Sequence, residues 1–249
     1  MNRSKLYSVV FVLIITVFWG FVLSFAATSL REPQQANEKL NMRTNILLAV
    51  GLVDRDNDLG ADELNSIYDE SVQSFLVDHE GKVIEGSTAE GVDLEEELEN
   101  PDPGAWRLPV FVVTEGGRAS VYAIPVFGKG LWSTLYGYLA LSDDLDTVQG
   151  ITFYKHGETA GLGAEIEQAW FQDNFVGKKI FDGSELRSIE VVKGKVGDVY
   201  SNPADHTYAV DGISGASMTG RGVTDLLDEK LNIYGPYIRR VRAETAQGR

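Results

Sequence analysis

The segment with the clearest potential for chemistry spans residues 211–220 and reads DGISGASMTG. Small residues dominate it, so its backbone can approach a bulky group closely. It precedes the last strongly helical pattern of the chain, and the N–H groups and dipole at the start of a helix favour a phosphate. Thr219 adds a hydroxyl there. The residues alone predict either a phosphate site or a simple helix cap at Ser217 or Thr219, and capping is the commoner role for these residue types.

The composition excludes several other kinds of site. The 249 residues include no cysteine, which rules out disulfides, a thiolate nucleophile and an iron–sulfur cluster held by the chain's own cysteines. The histidines, His79, His156 and His206, are far apart in the sequence, so we predict no metal site. The formal net charge of −15 disfavours nucleic acid as a partner. Redox chemistry on this chain would therefore need an organic cofactor.

Two segments resemble the FMN-binding domain family. Residues 214–219, SGASMT, are similar to the family's S-G-A-[ST]-x-T signature, in which the final threonine is joined to FMN through a phosphoester. Residues 156–163, HGETAGLG, are similar to its H-G-E-T-P-G-L-G loop, with Ala160 in place of the proline often found there. The resemblance implies that Thr219 carries covalent FMN. It also implies a partner protein, an exported flavin transferase that uses FAD as the donor of FMN.

The chemistry of FMN suggests candidates among the neighbouring residues for contacts with the cofactor. The isoalloxazine ring is planar and aromatic and needs apolar packing surfaces, for which Trp132, Leu162 and Met218 are candidates, although each residue type is more often found in a core. Glu158 and Thr159 are candidates for hydrogen bonds with the flavin, and Glu158 could equally cap a turn or the helix that follows. The predicted cofactor-binding residues are Thr219, Ser214, Gly215, Ala216, Ser217, Met218, Glu158, Thr159, Leu162, Gly163 and Trp132.

Within this family, the chain resembles most closely the C subunits of the sodium-translocating NADH:quinone oxidoreductase. The supporting features are an apolar N-terminal segment, residues 40–47 (LNMRTNIL) and residues 130–133 (GLWS) shortly before Tyr136-Gly137. The resemblance implies an electron-relay subunit of a membrane complex that oxidises NADH, reduces ubiquinone and exports Na⁺, with the other subunits as partners. The chain shows no G-x-G-x-x-G after a predicted strand, so we expect it to carry electrons without binding NADH and predict no catalytic residue.

Two other functions stay open at this point. One is the G subunit of the related Rnf ferredoxin:NAD oxidoreductase, which shares the threonine signature and the anchor. The other is a membrane-anchored binding domain without redox function, in which the small-residue segment only caps a helix. A domain of that kind would be colourless when purified from a host that contains the flavin transferase.

The N-terminal region predicts a membrane anchor. Residues 6–27, LYSVVFVLIITVFWGFVLSFAA, carry no charge, and as a helix they span about 30 Å, the thickness of a hydrocarbon core. The run exceeds the roughly 7–15 apolar residues of a cleaved signal peptide. Arg3 and Lys5 precede it, so the positive-inside rule predicts a cytoplasmic N-terminus. In a bacterium, the expected location is the inner membrane, with the FMN domain in the periplasm.

The elements that position these segments predict an α+β fold, because helix and strand patterns do not alternate as regular βαβ units. The predicted domains are a transmembrane anchor (1–30), a helical and acidic connecting region (31–107) and a mixed α/β FMN-binding domain (108–249). Residues 86–104 are acidic and rich in turn formers, which predicts a surface loop. The predicted helices cover 31–53, 61–75, 164–175 and 218–234, and the predicted strands cover 108–114, 119–127, 131–141, 149–155 and 188–192. The first of these helices is predicted to end near Gly51, and the last is predicted to bury Val223, Leu226, Leu227, Leu231 and Tyr234.

Overall fold

A computed structural model describes residues 3–56 and 58–247. Short 3₁₀ helices occur at Pro103–Ala105, Gly163–Glu167, Asp173–Phe175 and Pro203–Tyr208. The α-helices are α1 (Arg3–Val50), α2 (Ala61–Ser71), α3 (Leu94–Leu98), α4 (Ala169–Gln172), α5 (Val196–Val199) and α6 (Ser217–Gln247). The strands are β1 (Val72–Val77), β2 (Val83–Ile84), β3 (Leu108–Glu115), β4 (Arg118–Lys129), β5 (Thr134–Ser142), β6 (Val148–Lys155), β7 (Phe181–Asp182), β8 (Glu185–Leu186), β9 (Glu190–Val191) and β10 (Ala209–Val210).

The chain divides into two compact units, one up to Met42 and one from Arg43 onward. The first unit is the long apolar part of α1, whose large side chains, such as Phe11, Leu13 and Phe21, are exposed. In the part of the chain that the structure describes, this is the one helix long and apolar enough to cross a membrane, judged by length and composition. The second unit includes β1, so residues 72–77 of the predicted connecting region share a sheet with the predicted FMN-binding domain.

An antiparallel sheet forms the centre of the second unit, with the strand order β2-β1-β3-β4-β5-β6. Side chains alternate between its faces, as the pleat of a strand requires. On one face Leu139 and Ile151 join the core that contains α6. On the other face, Thr152 donates a hydrogen bond from Oγ1 to the backbone oxygen of Asn45 in the last turns of α1. These contacts confirm the predicted α+β class.

The end of α1 is held by residues of the LNMRTNIL segment. The buried guanidinium of Arg43 donates to Asn65 Oδ1 at 2.8 Å and to Glu90 Oε1 at 2.6 Å, which ties α1 to α2 and to the loop before α3. Gly51 then adopts φ +77°, and the N–H of Leu52 donates to the oxygen of Leu47, so the helix ends in a Schellman motif. The predicted helix end near Gly51 is confirmed.

Two predicted helices differ from the structure. The helix predicted over 61–75 ends at Ser71, because the following residues pair with β3 as strand β1. The helix predicted over 164–175 is interrupted at Gln168, whose ψ of 143° is extended. In an unbroken helix Ile166 and Phe171 would point about 140° apart, whereas the interruption lets both be fully buried. In both cases packing onto the sheet outweighs local helical spacing.

Three further predicted segments need smaller corrections. The predicted loop 86–104 contains the short helix α3 and a 3₁₀ turn. The strand predicted from residue 131 begins at Thr134, because residues 130–133 form the turn that joins β4 to β5. The helix predicted over 218–234 begins at Ser217 and extends through Pro236 to Gln247. Its predicted buried side chains are confirmed: Val223, Leu226, Leu227, Leu231 and Tyr234.

Candidate functional site

Three segments meet at one end of the sheet. The turn 130–133 joins β4 to β5, and residues 156–163 follow β6 directly. The pairing of Lys129 with Thr134 and of Tyr136 with Lys155 places the turn and the start of the second segment side by side. The third segment is 213–219 at the start of α6. The two motifs of the sequence therefore come together through the sheet and the last helix.

Thr219 is the third residue of α6, and only 1% of it is exposed. Its Oγ1 donates a hydrogen bond of 2.5 Å to Glu158 Oε2. The residue before the helix is Ala216, whose backbone oxygen accepts from the N–H of Gly220 and whose side chain has no acceptor. Neither Ser217 nor Thr219 therefore fills the capping position, and the Thr219 hydroxyl serves as a donor to a carboxylate.

Glu158 links the second motif to the β4–β5 turn. It is 8% exposed, and its Oε1 accepts hydrogen bonds from the N–H groups of Trp132 (2.9 Å) and Ser133 (3.4 Å). Burial raises the pKa of Glu158, but the hydrogen bonds from the Thr219 hydroxyl and from backbone N–H groups of residues 131–133 outweigh burial and hold that pKa below the ordinary value. The carboxylate is therefore ionised at neutral pH, and of its predicted roles it fills that of holding a turn.

Two glycines allow this close packing. A Cβ on Gly163 would lie 2.6 Å from Thr219 Oγ1 and 2.7 Å from Glu158 Oε2, so any larger residue would push on the hydrogen-bonded pair. A Cβ on Gly222 would lie 2.5 Å from the backbone oxygen of Lys129. Gly222 thus lets the first turns of α6 approach the end of β4, which places Thr219 beside Glu158.

The small-residue segment interlocks with the second motif. Gly215 has φ +77°, a backbone conformation that favours glycine, and a Cβ there would lie 2.8 Å from Leu162 Cδ2. Ala216 is buried, whereas Ser214 and Ser217 are exposed on either side of it. These two hydroxyls face solvent beside the start of α6, where a phosphate is favoured.

Large apolar side chains adjoin the residues of the buried pair and are themselves exposed. Each belongs to one of the three segments. Leu131 and Trp132 donate their backbone N–H groups to Glu158. Leu162 precedes Gly163, which packs against the pair, and Met218 precedes Thr219. Their type is usual in a core, but here it forms a surface that suits a flat aromatic group. We call these residues the apolar rim: Leu131 (46% exposed), Trp132 (70%), Leu162 (42%) and Met218 (58%).

Comparison with known proteins shows the family of this chain. The family model of the FMN-binding domain matches residues 130–232. The C subunit of the Na⁺-translocating NADH-quinone reductase of Vibrio campbellii is 33% identical over 245 residues, 90% of each chain, and that of Vibrio anguillarum is 31% identical over 97% of each. The chain belongs to this family of C subunits.

Solved structures from the same family have the same fold. The C subunit of the Na⁺-translocating NADH-quinone reductase of Parabacteroides distasonis superposes with a TM-score of 0.71 at 33% identity, covering 84% of this chain and 96% of that one. NqrC of Shewanella oneidensis has the same TM-score at 28% identity and covers 84% and 99%. The apolar part of α1 and the membership of this family fit a single-pass membrane protein.

The residues of this family member fit FMN in three separate ways. Thr219 offers a hydroxyl for an ester, and the start of α6 favours the phosphate charge. The apolar rim offers surface for the ring. Thr219 Oγ1 is enclosed in the unmodified chain, so access of a bulky group to this oxygen would require the surrounding segments to part.

Sequence reasoning missed several supporting contacts. Ser133 Oγ accepts from the N–H of Gly157 at 2.5 Å and so joins the turn to the second motif. Leu131 extends the apolar rim, although only Trp132 was expected there. Thr159 contributes through its backbone oxygen, which accepts from Leu162 N, and its side chain is exposed. Ser133 and Leu131 both lie in the GLWS segment, which is the sequence signal that could have indicated these two contributions.

Proposed function

We propose that this chain carries FMN joined by a phosphoester to Thr219. The observation that carries the proposal is the buried hydrogen bond between Thr219 and Glu158 at the start of α6, with the exposed apolar rim around it. Ser214, Gly215, Ala216, Ser217 and Gly163 would line the phosphate, and Leu131 with the predicted Trp132, Leu162 and Met218 would contact the ring. Thr159 remains a candidate for a polar contact with the cofactor.

The chain acts as the electron-relay subunit of a Na⁺-translocating NADH-quinone reductase, an oxidoreductase complex whose other subunits are its partners. FMN accepts electrons singly or in pairs and so supplies the redox chemistry. The protein's own residues supply attachment, a dry packing surface and fixed charges near the cofactor. The second unit, within which residues 108–249 form the proposed FMN-binding domain, holds all the residues proposed here.

The proposed topology puts this unit in the periplasm, with the N-terminus in the cytoplasm. Arg3 and Lys5 before the apolar run support it. A cofactor outside the cytoplasm is hard to replace once lost, and a covalent bond removes dissociation altogether. An exported flavin transferase that takes FMN from FAD would attach it. The curated relatives described above are C subunits of the quinone reductase, and no observation favours the Rnf G subunit.

The test is the intact mass of the chain purified from a host that expresses the flavin transferase. We expect a gain of one FMN less one water, fluorescence that survives denaturation, and a modified peptide that contains Thr219. An unmodified mass without fluorescence would refute the proposal, and modification at another hydroxyl would refute the assignment to Thr219.

Thr219→Ala should abolish the mass gain because it removes the attacking oxygen. Because Thr219 is buried, we expect the free energy of unfolding to fall by about 1–3 kcal/mol for the lost hydrogen bond to a buried carboxylate. Thr224→Ala is the matched control: it removes a hydroxyl from the same helix, where Oγ1 accepts from the N–H of Val191, and should keep the mass gain. Thr219→Ser should allow partial modification.

Topology has a direct test because the chain contains no cysteine. A single cysteine at Ser184, an exposed residue between β7 and β8, should react in intact cells with a thiol reagent that cannot cross the inner membrane. A single cysteine at Ser4 should react only after the cells are lysed. The reverse pattern would overturn the proposed orientation.

A further inference from the structure

We propose that Glu158 accepts the proton of the Thr219 hydroxyl when FMN is attached, so that the chain supplies the base for its own modification. The inference rests on the proposed phosphoester at Thr219. It concerns a residue that contacts the reacting oxygen directly, and it gives a chemical reason for a buried carboxylate in the second motif.

The geometry of the pair supports this role. Thr219 Oγ1 donates to Glu158 Oε2 at 2.5 Å, so the proton that must leave already lies on the line to a carboxylate oxygen. A general base must lie within hydrogen-bond reach, about 2.6–3.2 Å or closer, of the group that it deprotonates. The two residues lie 61 positions apart in the chain, so this contact is built by the fold and is not a consequence of local sequence.

The other oxygen of Glu158 is held in place. Oε1 accepts from the N–H groups of Trp132 and Ser133, which leaves Oε2 directed at Thr219. The N–H of Glu158 itself donates to His156 Nδ1 at 3.2 Å. The other ring nitrogen of His156, Nε2, lies 2.7 Å from Glu167 Oε1 but outside hydrogen-bonding geometry. The contact of His156 with Glu158 is therefore made through Nδ1 and the backbone. The carboxylate is thus both fixed and ionised.

The step balances without a redox change. Thr219 Oγ1 forms a bond to the phosphorus of the FMN half of FAD, and the pyrophosphate bond of FAD breaks, releasing AMP. The Thr219 proton passes to Glu158 and then to solvent. As the new P–O bond forms, the hydroxyl proton becomes more acidic, so a carboxylate with a lowered pKa can still accept it. After transfer, Oγ1 has no proton to donate and an anionic phosphodiester stands beside Glu158.

The competing explanation is that Glu158 only holds the β4–β5 turn. Glu158→Gln separates the two, because the amide oxygen can still accept from Trp132 and Ser133. The amide nitrogen would face Thr219 Oγ1 as a donor and cannot take up a proton. This variant therefore keeps the support of the turn and loses the base.

The experiment measures the rate of FMN transfer to the full-length chain, purified unmodified in detergent, then mixed with the flavin transferase and FAD and followed by intact mass. We expect Glu158→Gln to slow transfer by about 100-fold or more, the usual contribution of a general base. Glu165→Gln is the matched control, since Glu165 lies in the neighbouring 3₁₀ helix and binds Trp170 Nε1, and it should transfer at the wild-type rate. Thermal unfolding of each variant checks the fold.

Two further measurements test the inference by other means than the rate of Glu158→Gln at a single pH. The wild-type rate should decline on acidification as Glu158 takes up a proton, and the ratio of wild-type to Glu158→Gln rates should decline with it. In Glu158→Ala, added formate should restore part of the rate by filling the space of the carboxylate, whereas chloride at the same concentration should not.

The outcomes separate this inference from the proposed function. Wild-type transfer at Thr219 with an equal rate in folded Glu158→Gln would overturn the inference and leave the phosphoester standing, with the base then belonging to the transferase. A pH-independent rate ratio without formate rescue would overturn it equally. Absence of any transfer to the wild-type chain would refute the proposed function itself.

Discussion

Thr219 and Lys230 are both buried polar side chains of helix α6, but their surroundings are very different. Thr219 in its first turn donates to a carboxylate from another segment, beside a glycine that leaves no room for a side chain. Lys230, three turns later, places Nζ 3.9 Å from the centre of the Phe127 ring and 2.5 Å from Glu229 Oε1, which is largely exposed. The first is enclosed by converging segments, and the second is paired with a carboxylate at the surface.

The two regions also differ in their apolar side chains. At the start of α6, Met218 is exposed and belongs to the apolar rim. In the body of the helix, Val223, Leu226 and Leu231 are buried against the sheet. A buried polar residue therefore does not mark a functional site by itself. What distinguishes the start of α6 is the combination of an enclosed hydrogen-bonded pair with exposed apolar side chains around it.

The largest effect on stability should come from the body of α6. Leu227→Ala removes a fully buried side chain, and we expect the free energy of unfolding to fall by about 2–5 kcal/mol. FMN attachment per folded molecule should stay at the wild-type level, because the first turn is unchanged. Chemical denaturation and intact mass check the two halves of this prediction. Loss of attachment in folded protein would show that the two regions are not separate.

An intermediate effect should come from the first turns. Gly222→Ala would put a Cβ 2.5 Å from the backbone oxygen of Lys129, so α6 must move away from the end of β4. Overpacking of this kind costs about 1–3 kcal/mol, which a helix-propensity gain of about 1 kcal/mol offsets only in part. Because the shift separates Thr219 from Glu158, we expect FMN transfer to slow as well. Unchanged transfer with reduced stability would contradict the link between Gly222 and the site.

A smaller effect is expected at Lys230. Lys230→Met keeps an extended apolar side chain over Phe127 but loses the ion pair with Glu229 and the cation–π contact, so stability should change by about 1 kcal/mol or less in either direction. Transfer of FMN should be unaffected. A marked loss of covalent flavin in this variant would assign Lys230 to the site and break the contrast drawn above.

The smallest effect concerns pH. The pKa of Glu158 is lowered in the folded chain, so its contribution to stability is present above the ordinary glutamate pKa and is lost as pH falls through the lowered value. Glu158→Gln lacks this contribution, and its unfolding free energy should fall less steeply from neutral pH down to about 3. Equal slopes in parallel denaturation series would show that Glu158 is not stabilised as an anion by the fold.

The sequence predicted those features of this chain that depend on local pattern. The uncharged run of residues 6–27, the helix end near Gly51 and the buried stripe of α6 follow from local pattern, because each depends on one continuous stretch of sequence. The predicted α+β class is confirmed. The signal was weaker where an element depends on a distant partner. Residues 72–75 have helical spacing, yet they form β1 because β3 offers a complete row of hydrogen-bonding partners.

The same division applies to the site. The resemblance of two short segments was enough to single out Thr219 and the rim residues Trp132, Leu162 and Met218. It did not show that Glu158 binds the hydroxyl of Thr219, or that Glu158 holds the turn through Oε1, since neither contact has a local sequence signal.

The sequence by itself therefore determined the anchor, the fold class and the location of the two motifs, because these are properties of composition and period along the chain. Only the tertiary structure decided the pairing of Thr219 with Glu158 and the exposure of the apolar rim. The physical reason is that burial and hydrogen-bond partners depend on which segments the sheet and α6 bring together. At this site those segments lie 61 residues apart in the chain.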